Sequence, residues 1–177
     1  SALAGPFEDL VHLLAHEAFH ILSRHNPKLR QKLYQVIGFA VVDPIALGPI
    51  EQQRITNPDA PQTDAVINLE NRAGEALRCL MLTYTQEDYT GGSFFKYLKV
   101  GFLLVDNKNE VVYRQGKAII LGFKEVARSF YGQVGQNTNY LIHPEEILAE
   151  NFVLALKGEE GNSAWVLEGV DEVLQSN

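Results

Sequence analysis

Residues 16–20 read His-Glu-Ala-Phe-His, two imidazoles four positions apart with a carboxylate directly after the first. On a helix, positions i and i+4 lie one turn apart on the same face. His16 and His20 can therefore both direct a ring nitrogen at one zinc ion, about 2.0–2.1 Å from each. Glu17 points roughly 100° round the helix, so it need not ligate. It is placed instead to hold a zinc-bound water and take its proton as general base. A glutamate between two histidines on so apolar a helix is costly unless it is paired or linked to a metal.

His12 lies one turn earlier on the same helix. Positions 12, 16 and 20 together span about 12 Å along the axis, too far for one tetrahedral ion. His12 is expected to be a core histidine or a support for a ligand. His25 is not a ligand of the metzincin kind: Ser23 stands where that class has glycine, and Asn26 where it has histidine.

A catalytic zinc takes three protein ligands and keeps one open position. The third is expected within LIHPEEILAENFVLAL, residues 141–156. Pro144 fixes a helix start, and Glu146 and Glu150 share one face. Glu146 can bind the ion, while Glu150 can accept the other N–H of a ligand histidine and raise its basicity. Helix phase alone leaves Glu145 open as the ligand, because it heads the row Ala149, Phe152, Leu156. Acidic residues in a first turn also favour the positive end of the helix dipole, by ~0.3–1 kcal/mol each. That accounts for Glu145 and Glu146 but not for Glu150.

HEAFH followed by Glu146-Ile-Leu-Ala-Glu150-Asn-Phe152 resembles the gluzincins, zinc peptidases with HExxH and a later glutamate-bearing helix. The variety is the Glu-x-x-Ala-Glu-x-Phe one of lethal-factor-like toxins and uncharacterised bacterial peptidase-like proteins. The resemblance implies a zincin-like fold and zinc-dependent hydrolysis of peptide bonds in a peptide or protein substrate. It implies His16, His20 and Glu146 as ligands of one Zn²⁺, Glu17 as base, and Glu150 as support for a ligand histidine. That pattern also has a tyrosine upstream of the glutamate helix that stabilises the oxyanion. Tyr140 is the nearest match, one residue out of register, and His143 is the alternative on the same loop.

Two departures from the pattern carry expectations of their own. Between His20 and Glu146 lie 125 residues, and only fifteen precede His16, where zincins place a sheet. Either an inserted sheet takes that role or an upstream segment of a longer precursor supplies it. A non-enzymatic zinc-stabilised binding module and an inactive pseudo-peptidase are the alternatives to an enzyme.

The elements that must position these residues follow from pattern. Residues 7–24 are apolar around most of the circumference and are expected as a helix buried on nearly all sides. Asn26 and Pro27 open a second helix over 27–36, and a Gly/Pro-rich loop follows to the TNPDAP turn at 56–61. AVINLE, ALRCLMLTYT, FFKYLKVGFLLV, EVVYR and KAIIL read as strands of an antiparallel meander between 64 and 121, with GGSFFKY as a possible edge. Helices at 123–131, 144–157 and 162–175 complete an α+β chain, expected as one zincin-like domain over 1–177 with the HExxH and glutamate helices packed together.

Composition narrows the partners. Fifteen Lys+Arg against 22 Asp+Glu give a net charge of −7 with no basic block, so nucleic acid is not expected. Apolar runs such as KAIILGF fall well short of the ~20 residues of a membrane span, which leaves a soluble chain. The small-residue start SALAGP fits either N-terminal processing, which would go with a secreted or periplasmic location, or the start of a trimmed fragment, and the compartment stays open. The lone Cys79 excludes an internal disulfide and reads as a buried strand residue.

Overall fold

The computed structural model describes residues 4–176. Helix α1 (Ala4–His25) ends at Asn26, whose side-chain amide donates to Leu22 O at 2.8 Å, and Pro27 starts α2 (Pro27–Val36). Gly38 then turns the chain at φ +77°, a left-handed conformation that L side chains avoid, and leads into β1 (Phe39–Val41). Four further strands join β1 in one antiparallel sheet: β2 (Ala65–Glu70), β3 (Ala76–Tyr84), β4 (Lys99–Val105) and β7 (Ile120–Leu121). Their order is β1-β2-β3-β4-β7, while β5 (Tyr113–Arg114) and β6 (Lys117–Ala118) form a separate two-stranded ribbon.

Both faces of the sheet are covered, and strand alternation shows how. Ile67, Leu69, Cys79, Met81 and Phe102 face the helices, in register as Ile67↔Cys79 and Met81↔Phe102. Val66, Leu80, Leu82, Leu103 and Val105 face the other way, onto Ile45, Leu47 and Ile50. A strand buried on both sides needs apolar residues at successive positions, hence the run Leu80-Met81-Leu82. Burial pushes the Cys79 thiol up to about 12, so it is a core group.

Helices α3 (Phe123–Val134), α4 (Pro144–Lys157) and α5 (Ala164–Gln175) lie with α1 and α2 on the first face. The central helix is α4, where Ile147, Leu148, Ala149 and Val153 are fully buried. His143 caps it: Nδ1 accepts the Glu145 N–H at 3.1 Å. Gly158, left-handed at φ 65°, ends it. Helices α1 and α4 pack on each other, with the Phe19 and Phe152 rings 5.5 Å apart.

Three expectations need correction. Helix α1 is not buried on nearly all sides: Phe7, Leu10, Leu14 and Ile21 form an exposed row opposite the face that meets α4, Leu14 at 60% exposure. Phe94–Lys96 is a 3-10 turn, not strand, and β4 begins at Lys99. The supposed loop after α2 contains β1, which becomes a strand through pairing with β2.

Candidate metal centre

The buried face of α1 carries His16, Phe19, His20 and Ser23, and the first two turns of α4 lie across it. That crossing joins residues from the two ends of the chain. His16 Nε2 lies 3.0 Å from Glu146 Oε2, and its Nδ1 lies 2.9 Å from Glu150 Oε1. His20 Nε2 lies 3.7 Å from Glu146 Oε1, and its Nδ1 lies 3.4 Å from Glu145 Oε1. Each imidazole therefore has Glu146 at Nε2 and a different carboxylate at Nδ1.

The donor set fits a metal. One ligand atom from each of His16, His20 and Glu146 falls within a 4.8 Å cluster, and all three residues are buried. Ligands about 2.0–2.1 Å from a tetrahedral zinc sit roughly 3.3 Å apart; His16 Nε2 lies 3.0 Å from Glu146 Oε2, and His20 Nε2 lies 3.7 Å from the other oxygen, Oε1. His20 Nε2 is buried with no hydrogen-bond partner. A polar atom in that state is costly, and a cation between it and Glu146 would relieve it.

A second possible group, His12, His16 and Glu150, is more exposed. It would use His16 Nδ1, and a neutral imidazole offers one lone pair, so only one of the two groups can be filled at a time. His12 Nε2 lies 3.3 Å from Glu150 Oε1 and so shares that carboxylate with His16.

Outside the donors, two supports come from residues whose part the sequence did not announce. Asn57, in the TNPDAP segment, donates from Nδ2 to Glu146 Oε1 at 2.8 Å. The segment is held by Asp59 N–H on Asn57 Oδ1 and by Arg24 on Asp59. Glu145, 2% exposed, accepts from the Tyr34 hydroxyl at 2.6 Å and the Ser23 hydroxyl at 3.1 Å, both on Oε2. Arg30 sits over the Tyr34 ring and grips Asp64 with two nitrogens at 2.8 Å each. Burial pulls the Arg30 guanidinium down, but the Asp64 bond outweighs it and its pKa rises. Burial, with the Glu145 charge, pushes the Tyr34 phenol well above its usual range. His20 is likewise pulled down by burial, but the Glu145 hydrogen bond and the Glu146 charge outweigh it and leave the imidazole above its ordinary value.

His16 and Glu146 line one wall of a cleft of about 710 Å³, and His20 is buried behind them. Glu17 is exposed and lines the cleft, as do Tyr140, Leu13, Phe94 and Ile142. The Tyr140 ring centroid is 6.4 Å from that of His16. Desolvation, with Glu146 and Glu150 nearby, raises the Tyr140 phenol, so its hydroxyl keeps a proton to donate. His143 is committed to its cap, and burial pushes its pKa down to about 4. His25 is exposed and takes no part among the described contacts. The end of β3 anchors both sides of the cleft. Thr83 O accepts from Ile55 N–H at 2.8 Å, just before Asn57, and Thr83 Oγ1 donates to Ile142 O at 2.7 Å, just before α4.

No protein-family model, curated protein or solved structure matches this chain.

Proposed function

We propose that the chain is a zinc-dependent metallopeptidase with a zincin-like arrangement of the gluzincin kind, acting on a peptide or protein substrate. The observation that carries the reading is the orphaned His20 Nε2, buried and turned with His16 Nε2 towards one carboxylate at the wall of an open cleft. His16, His20 and Glu146 would hold one Zn²⁺. When bound, the ion would polarise the scissile carbonyl and acidify water in the cleft.

The chain's own residues supply the rest. Glu17 takes a proton from the attacking water as its oxygen bonds to the carbonyl carbon, then returns it to the amine nitrogen as the C–N bond breaks. The Tyr140 hydroxyl donates to the oxygen that gains charge. Glu150 holds the His16 ring from behind, and Asn57 holds the Glu146 carboxylate in place.

Elemental analysis should give one zinc per wild-type chain. Glu17→Gln should keep the metal and lose about 100-fold or more in turnover of a peptide library, and undiminished turnover would remove Glu17 from the mechanism. Glu146→Ala should lose most of the zinc. A stoichiometric metal signal in that variant would move the ligand to another carboxylate.

The exposed apolar row of α1 favours a second reading, a non-enzymatic module in which zinc only joins two helices and the row serves another protein surface. Full zinc loading with no hydrolysis, and four protein donors by X-ray absorption, would select it.

A further inference from the structure

We propose that Glu145 is the positioning residue that fixes the tautomer of His20, so that α4 orients both ligand histidines: Glu150 sets His16 and Glu145 sets His20. The inference rests on the metal-centre reading above and extends it to a residue outside the motif that suggested it.

A neutral imidazole has one N–H and one lone pair, and a metal needs the lone pair at the ligating nitrogen. Left to itself, the ring favours a proton on Nε2, the wrong nitrogen for this centre. Beside His20 Nδ1 stands Glu145 Oε1 at 3.4 Å, a group that only accepts. The Glu145 geometry points the same way. Its Oε2 already takes the Tyr34 and Ser23 hydroxyls at 2.6 and 3.1 Å, which leaves Oε1 to His20. Arg30 Nε, 3.9 Å from Oε2, adds a positive charge that holds the carboxylate in place.

The second observation is at the other end of the ring. With the proton on Nδ1, the Nε2 lone pair faces Glu146 Oε1 at 3.7 Å with no donor of its own. Two acceptors directed at each other, both buried, form a cation site and not a hydrogen bond. His16 repeats the arrangement with Glu150 at Nδ1 and Glu146 at Nε2. A merely structural Glu145 would tie α4 to α2 through Tyr34 and leave the metal's affinity untouched. A positioning Glu145 changes that affinity.

Two measurements decide. In ¹⁵N-histidine NMR of metal-free wild-type protein, at a pH high enough for the ¹⁵N shifts themselves to report a neutral ring, His20 should be the Nδ1–H tautomer. An Nε2–H ring would overturn the proposal, and this arm needs no metal. In chelator competition with zinc alone, Glu145→Gln should weaken binding about 10–100-fold while its circular dichroism stays that of the wild type. Affinity within twofold of wild type, with Glu150→Gln weakened, would also overturn it. Should Glu145→Gln fail to fold, Tyr34→Phe gives the same reading in milder form, since it removes the 2.6 Å bond that orients Glu145. A wild-type chain that binds no zinc would sink the metal-centre reading, and the tautomer would still judge Glu145.

Discussion

His143 shows how a single side chain can make this fold acid-sensitive. Its Nδ1 must stay an acceptor to cap α4, and burial holds its pKa down to about 4. A folded-state pKa below the unfolded value of about 6.5 gives stability that is complete above the unfolded value. It is lost as pH falls towards 4, and amounts to roughly 3 kcal/mol. Protonation would also put a positive charge at the positive end of the helix dipole. Urea unfolding should therefore lose more stability between these pH values in wild type than in His143→Asn, where asparagine caps without titrating. Equal losses would remove His143 as the cause. At this scale the shared faces of His16 with His20 and of Glu146 with Glu150 were legible, because i, i+4 spacing on two helices fixes which side chains stand together. The parts of Asn57 and Glu145 were not. Each depends on a partner brought from far along the chain, and helix phase left Glu145 and Glu146 equivalent until the helices crossed.

The helices were legible at their starts, where Asn26-Pro27 and Pro144 state where a turn begins. The sheet was legible as antiparallel strands, but its smallest members were not. β1 gets its form from β2, and Phe94–Lys96 forsakes the strand preference of its aromatics inside a loop tied by the Tyr97 hydroxyl to Gly91 O. The reading of α1 failed because apolar residues on every side imply burial on every side, while the described chain covers only the half that meets α4. Two substitutions separate those halves. Phe19→Ala, at the α1–α4 contact with 0% exposure, should cost about 3–5 kcal/mol. Leu14→Ala, on the exposed row, should change stability by no more than about 0.5 kcal/mol. Denaturant titration measures both, and a comparable loss at Leu14 would mean that another surface covers the row in solution.

For the whole molecule, the His/Glu cluster joins α1 to α4, and a metal held there would act as a clasp between them. Zinc at a hundred times its dissociation constant would add about 2.7 kcal/mol, which for a chain of this size raises Tm by roughly 5–10 °C. A thermal scan before and after chelation should show that difference and its recovery on adding zinc back, and an unchanged Tm would argue against any clasp. Among the described residues no helix is long and apolar enough to cross a membrane. The interval of 125 residues between His20 and Glu146 has one more consequence, for biosynthesis. A ribosome delivers the histidines early and the glutamate helix near the end of this stretch. A nascent polypeptide still lacking residues 144–157 holds only part of the proposed donor set, so a metal held by all three residues would bind only once translation has passed them.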